Sequence, residues 1–268
     1  MIRMVCSDID GTLLNSEHCL TDRTRRAIIA LEAKGIPFLP VSARTPAEID
    51  SVFAGTEIRC PRIAFSGGMI LDENGNILFY RGMPKTLAAE IVSFLDRRCP
   101  HIIWNLYNKD QWITKDKQSL PLQREEQAVK VHSVQGGPED LHGDTAAKIL
   151  CMGEPDEILD AEAALLAAFP QCSIVKSDPT LLEVLPGGVN KAAALAEAGA
   201  VWGIALADIA AFGDNYNDVE MLEAAGVGIL MGNAPEPLLR RFPNHAPDND
   251  HDGLAQALVQ LGLIPTLA

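Results

Sequence analysis

Four carboxylates stand at two places in this chain where a buried strand would end. Asp8 and Asp10 follow the apolar run Met4–Cys6, and the segment continues Gly11-Thr12-Leu13-Leu14. Asp214 and Asp218 follow Ile209–Phe212, within Gly213-Asp214-Asn215-Tyr216-Asn217-Asp218. In a parallel α/β sheet the carboxyl ends of strands converge on one crevice, and ligands bind there. Two acid clusters delivered to that crevice make a hard, oxygen-lined cation site of the kind Mg²⁺ takes. A divalent cation held in this way points to phosphate chemistry.

The elements that must position these groups are legible as alternating signals. Thr21 is placed to cap a helix whose apolar positions Ala27, Ile28 and Leu31 keep helical spacing, with Gly35 where a left-handed terminator is wanted. Ile36–Val41 reads as a buried strand that delivers Ser42 to the crevice. Thr45-Pro46 opens a second helix, with proline at its first position. Ile63–Phe65 is a third strand. Met69–Leu71 and Ile77–Tyr80 flank Glu73-Asn74-Gly75-Asn76, a hairpin with a type I′ turn signal. Strands alternating with helices predict an α/β fold with a doubly wound parallel sheet.

Near Gly82-Met83-Pro84 the order of elements changes. The pattern predicts a helix (Pro84–Arg98), two strands (Ile102–Tyr107, Trp112–Thr114) and a short helix (Leu122–Ala128). A strand (Ala147–Met152), a helix (Asp156–Phe169) and two strands (Ser173–Lys176, Leu181–Leu185) follow. This is an α+β unit, residues 83–186, inserted into a core made of residues 1–82 and 187–268. The core resumes with a helix (Asn190–Ala198), the strand ending at Phe212, a helix (Asp218–Ala225) and the strand Val227–Met231.

Composition bounds the partners. The chain has 268 residues, 47% hydrophobic and 22% charged, which is an ordinary globular balance. A formal net charge of −14 argues against nucleic acid and anionic membranes as partners. An anionic substrate then needs a local positive site, for which a cation, Lys191 and Arg44 are available. The six cysteines form no C-x-x-C pair, so reduced thiols are expected rather than a disulfide framework or zinc site. Met1–Cys6 is strand-length and meets Asp8 at once, without a signal-peptide core. The expectation is a soluble cytoplasmic protein, monomer or homodimer. The six histidines form no recognisable triad, and Gly67-Gly68 and Gly187-Gly188 match no dinucleotide fingerprint. Trp104, Tyr107 and Trp112 read as core packing in the insertion, with one available to line a substrate pocket. Lys109, Lys115, Lys117 and Lys130 make the early insertion locally basic.

The Asp8–Leu14 segment, Ser42-Ala43-Arg44, Lys191 and Gly213–Asp218, in that order, resemble the four motifs of the haloacid dehalogenase superfamily. The resemblance is closest to the Cof-type phosphatases. It covers essentially the whole chain, including the Glu183–Lys191 stretch and Asp252-Gly253-Leu254-Ala255. It implies a Rossmann-like core with an α/β cap inserted between the second and third motifs. The implied activity is Mg²⁺-dependent hydrolysis of a small phosphorylated metabolite, a sugar phosphate or phosphorylated cofactor, through an aspartyl-phosphate. Asp8 is then the nucleophile. Asp10, brought back by a sharp turn at Gly11, is the acid that protonates the leaving group and the base that activates water. Asp214 joins Asp8 and the Asp10 backbone carbonyl at the metal, and Asp218, one helical turn further on along the same face, orders metal-bound water.

Asn217 is placed to donate to phosphate or to cap the following helix. Ser42 supplies a hydroxyl to phosphate, and Arg44 contacts phosphate or leaving group. Lys191 stands at a predicted helix start, where the dipole disfavours a cation; that placement points to pairing with Asp8 and the phosphate. The chain departs from the family in Ser42-Ala43, where Thr-Gly is usual, and in Ser66-Gly67, where Asn-Gly is more frequent. Two alternatives are a hexose phosphomutase of the same superfamily, which would need a bisphosphate activator, and a non-catalytic phosphometabolite sensor. Retention of both Asp8 and Asp10 disfavours the sensor, since binding alone requires no acid or base.

Overall fold

Strand β1 (Met4–Ser7) is buried at every residue, as a parallel strand covered on both faces must be. The computed structural model describes residues 1–129 and 131–267, so Lys130 lies outside the described residues. Helix α1 (Asp22–Ala33) starts at Thr21, whose hydroxyl accepts the Thr24 N–H at 3.1 Å, and ends before Gly35 at φ +69°. Strand β2 (Phe38–Pro40) leads through Ser42 to α2 (Pro46–Val52), closed by a reciprocal capping box between Thr45 and Glu48. Strands β3 (Arg62–Ala64), β4 (Met69–Leu71) and β5 (Ile77–Tyr80) form a three-stranded sheet, and Ile63 bridges in parallel to Val41.

The turn between β4 and β5 differs from the type I′ expectation. Asn74 keeps a negative φ, and only Gly75 is left-handed, at +84°. Asp72 explains the difference. Its carbonyl accepts the Gly75 N–H, and its carboxylate accepts the N–H groups of Asn74 and Asn76. That Asx arrangement organises the loop from one residue earlier.

The chain falls into two compact units, Met1–Phe79 with Asn190–Ala268, and Tyr80–Val189. The second unit holds β6 (Met83–Pro84), α3 (Lys85–Arg98), β7 (Ile103–Tyr107), β8 (Trp112–Thr114), α4 (Leu120–Val129), β9 (Val134–Gln135), β10 (Thr145–Ala146), β11 (Lys148–Met152), α5 (Pro155–Ala168), β12 (Ser173–Asp178) and β13 (Leu181–Leu185). Its main sheet runs β12-β13-β11-β7-β8-β9, antiparallel except for β8 against β9. Leu106, Ile149, Cys151, Leu182 and Val184 on one face bury against Ile91 and Leu95 of α3 and Ile158 and Leu165 of α5. Trp104 belongs to this apolar face, and its indole N–H is held by Asp96 at 3.0 Å. The Lys115 ammonium is likewise occupied, by Asp96 and the carbonyls of Pro100 and Ile102.

The first unit resumes with α6 (Lys191–Trp202), β14 (Ile209–Gly213), α7 (Val219–Ala224), β15 (Val227–Leu230), α8 (Glu236–Arg241) and α9 (Gly253–Gln260). Its parallel sheet has the order β15-β14-β1-β2. From β1 the chain moves outward to β2 and later returns on the other side as β14. The strand order therefore reverses between β1 and β14, the switch point at which such sheets open a crevice. Met4, Cys6, Leu39, Ile209, Ala211 and Leu230 pack with Leu195 of α6 and Met221 and Leu222 of α7 as the core beneath it. All six cysteines are free, and among the described residues no helix is long and apolar enough to cross a membrane.

Candidate active site

Register brings the candidate residues to one level. The Asp8 N–H donates to the Phe212 carbonyl at 2.9 Å, and Val41 N–H to the Ser7 carbonyl at 2.8 Å, so β1, β14 and β2 end together. Asp8 leaves the end of β1, Asp214 follows β14, and Ser42 follows β2. From α6, the Lys191 ammonium donates to Asp8 Oδ1 and to Asp218 Oδ1, both at 2.5 Å. Asn190 anchors that helix start, its side chain accepting the Ala193 N–H at 2.7 Å. Asp218 is completely buried. Its other oxygen, Oδ2, accepts the N–H groups of Asp214 (3.0 Å) and Asn215 (3.1 Å). Asp218 thus holds both the lysine and the backbone from which Asp214 projects.

Two glycines make this packing possible. A Cβ on Gly11 would lie 2.5 Å from Asp214 Oδ2, and one on Gly213 would lie 2.4 Å from the Asp218 Cβ. Gly11 also has φ +79°, where a side chain is strained. Thr12 then donates its hydroxyl to Asp214 Oδ1 at 2.9 Å, tying the β1 loop to the β14 loop.

Asp10 stands apart from the buried trio. Its half-exposed carboxylate forms a two-pronged pair with Arg44, Nη2 to Oδ1 at 2.6 Å and Nε to Oδ2 at 2.9 Å. The His18 ring is 3.8 Å from the same Oδ1. Ser42 is buried, and its hydroxyl accepts the Arg44 N–H at 3.2 Å. Asn217 is half-buried and does not cap the turn it sits in; Asn215 and Asp218 form that capping box, because their spacing of three suits the reciprocal bonds. Ser66 and Phe65 take left-handed φ values of 55° and 53°. Such strain persists only where the surroundings over-determine it. Here Phe65 N–H is bound to the Arg44 carbonyl and Ser66 N–H to the Ser42 carbonyl.

The Lys191 ammonium bonds Asp8 and Asp218 with Asp214 close by, and the acidities of Asp8 and Asp214 reflect the crowding. Burial pushes the Asp8 carboxyl well above its ordinary range; Lys191 pulls it back, and the charges of Asp218, Asp214 and Asp10 raise it again. Burial and then the charge of Asp218 lift Asp214 to about 6, against the opposing Thr12 hydrogen bond and Lys191 charge. For Lys191, burial favours the neutral amine, but Asp218 and Asp8 outweigh it and hold the group above the ordinary lysine range.

The donor set fits a hard divalent cation. Asp8, Asp214 and Asp218 each offer an oxygen within 4.8 Å of the others. Three negative charges against the single charge of Lys191 leave two uncompensated, the charge a divalent ion carries. Carboxylate oxygens are what such an ion selects. The Asp214 carboxylate lies directly over Gly11, where a Cβ would meet it at 2.5 Å, so glycine at position 11 is what lets the β1 loop pass beside this carboxylate.

Sequence reasoning missed two residues at this crevice. Asn233, just past β15, donates its side-chain amide to the Gly11 carbonyl at 2.8 Å, and Asn249 donates its N–H to Asn233 Oδ1 at 3.2 Å. The only sequence signal was an asparagine two residues beyond the apolar run ending at Met231.

A switch-point crevice lined by strand-end aspartates and one buried lysine defines a doubly wound α/β protein with an acidic site at its strand ends. Residues 5–258 match the haloacid dehalogenase-like hydrolases, and the chain belongs to that family. It is 32% identical over 260 residues to a Haemophilus influenzae protein provisionally classed as a phosphatase, covering 96% of this chain and 97% of that one. It is 29% identical to the 5-amino-6-(5-phospho-D-ribitylamino)uracil phosphatase of Bacillus subtilis, covering 96% and 94%. A solved haloacid dehalogenase-like hydrolase from Bacteroides thetaiotaomicron superposes with a TM-score of 0.84 at 25% identity, covering 97% of this chain and all of that one.

Proposed function

We propose that this protein is a Mg²⁺-dependent phosphatase acting on a small phosphorylated metabolite through an aspartyl-phosphate on Asp8. The observation that carries the reading is Asp8 itself, a buried carboxylate gripped through Oδ1 by Lys191 beside Asp214. Asp8 attacks phosphorus and the ester P–O bond breaks. Asp10 gives its proton to the departing oxygen. Asp10 then takes a proton from the water that attacks the aspartyl-phosphate, which releases phosphate and restores Asp8. Lys191, Ser42, Arg44 and Asn217 hold the phosphate oxygens, with Arg44 exchanging Asp10 for substrate. Asp8, Asp214 and the Asp10 carbonyl hold Mg²⁺, and Asp218 positions them, since Lys191 and two N–H groups already engage its oxygens. When bound, the ion offsets the repulsion between an anionic nucleophile and an anionic phosphate.

Selection of the leaving group falls to the inserted unit, residues 83–186, because every phosphate-handling residue lies outside it. The uracil phosphatase among the relatives supports a phosphorylated small molecule as the substrate class. A hydrolysis screen over phosphorylated sugars, nucleotides, flavins and pyridoxal tests the reading, with Asp8→Asn as its control. Turnover by the wild type, lost in Asp8→Asn and in EDTA and restored by Mg²⁺, is expected. Hydrolysis that persists in Asp8→Asn within tenfold of wild type would remove the covalent step.

A further inference from the structure

We propose that Asn233 is a positioning residue for the Asp8–Asp10 loop, fixing the Gly11–Thr12 peptide through the Gly11 carbonyl. The inference rests on the phosphatase reading for its consequence in turnover, but its structural part stands without it. The loop Ile9–Leu14 contains a glycine with φ +79° and ψ −2° between Asp10 and Thr12. Glycine occupies both signs of φ with similar ease, so a peptide rotation here is the least costly way for the loop to change shape. Such a rotation would turn Asp10 away from the crevice and pull Thr12 from Asp214. Three side-chain bonds oppose it: Arg44 on Asp10, Thr12 on Asp214, and Asn233 on the Gly11 carbonyl itself.

The Asn233 amide is used at both ends. Nδ2 donates to Gly11 O at 2.8 Å, while Oδ1 accepts the Asn249 N–H at 3.2 Å. A flipped amide would set oxygen against oxygen and N–H against N–H, so the two partners fix its orientation. Asn249 in turn donates Nδ2 to the Leu14 carbonyl at 2.9 Å, gripping the far end of the same loop. Asn233 lies 222 residues from Gly11 and is brought there by β15, whose extension hydrogen-bonds Met231 N–H to the Gly213 carbonyl at 2.9 Å. The loops after β1, β14 and β15 are thereby locked into one geometry.

Asn233→Ala and Asn233→Asp test this with p-nitrophenyl phosphate as substrate. Displacement of catalytic groups by around an ångström should lower kcat about 10–100-fold, with KM within about threefold of wild type. The aspartate variant keeps the acceptor for Asn249 but sets an oxygen against Gly11 O, so it should lose as much as alanine. Asn249→Pro removes the backbone N–H at the first position of the turn Asn249–His251, where proline is tolerated, and should also lower kcat. Asn249→Ala keeps that N–H and should lose less. The amide resonances of Gly11 and Thr12 supply a readout independent of turnover: they should shift or broaden in Asn233→Ala. A kcat within threefold of wild type, or a loss matched by the unfolded fraction, would overturn the proposal. A wild type that hydrolyses no phosphomonoester would remove the phosphatase reading instead. Unchanged Gly11 and Thr12 resonances would then refute the positioning role on their own.

Discussion

Replacing Lys191 by methionine should expose the electrostatic balance of the site, because one ammonium bonds two buried carboxylates and offsets the charge of only one. Both Nζ contacts are 2.5 Å and the lysine side chain is 3% exposed, so solvent screens little of the interaction. Breaking a buried pair by removing one partner costs about 3–5 kcal/mol, since the other charge remains uncompensated. The loss should depend on pH. Lys191 has its pKa raised in the folded state, so its contribution is complete below the ordinary lysine range and constant from pH 5 to 8. Asp8 also has a raised folded pKa, which means stability falls as pH climbs through that value. Without Lys191 the Asp8 pKa rises further. Over the interval where the variant's Asp8 binds a proton that wild type has released, the penalty shrinks by about 1.4 kcal/mol per unit fall in pH.

The variant should therefore be destabilised more at the upper end of that interval than at its lower end, in metal-free buffer. Two compact units make a single two-state fit unsafe, so each must be followed separately. Fluorotryptophan labelling does this. Trp202 reports the first unit, and Trp104 and Trp112 the second, as separate fluorine signals in a urea titration. A loss at Trp202 below about 1 kcal/mol at every pH of the series, or one that grows as pH falls, would refute the charge-sharing account.

Gly11→Ala should weaken Mg²⁺ binding about 10–100-fold in calorimetry, because its Cβ lies 2.5 Å from Asp214 Oδ2; unchanged affinity would show that this oxygen is not used. The same change should cost about 1–2 kcal/mol of stability from the left-handed backbone alone, measurable by urea unfolding. Metal affinity should fall as pH drops through about 6, where Asp214 takes up a proton, with proton release on binding near that pH. A pH-independent affinity between 5 and 7 would exclude Asp214 as a ligand.

The parallel core was legible because its strands are short apolar runs, two of which (β1 and β14) stop at acids, and its helices carry local start signals at Thr21 and Thr45. Elements without a local signal were not. The two-residue ladder β6–β10 exists only through pairing of Met83-Pro84 with Thr145-Ala146, and α8 and α9 are short helices held by the core they cover. Face assignment in the second unit follows the same rule. Trp104 and Tyr107 differ in alternation along β7, but which face packs under α3 and α5 depends on partners β11 and β13. Helices need nearly local hydrogen bonds, whereas strand pairing is a long-range fact.

The site divides along the same line. Asp8, Asp10, Asp214 and Asp218 are visible as pairs two and four residues apart, and Lys191 as a cation where the helix dipole disfavours one. The bonds that aim them join residues 34 to 222 positions apart: Arg44 to Asp10, Thr12 to Asp214, Asn233 to Gly11. Arg44 and Thr12 lie within motifs, but the partners they bind are set by the fold, and Asn233 stands in a loop where nothing in its neighbours marks it. Sequence patterns locate the reacting groups because chemistry demands particular residue types. They leave the orienting groups hidden because any donor at the right place in the fold can perform that task.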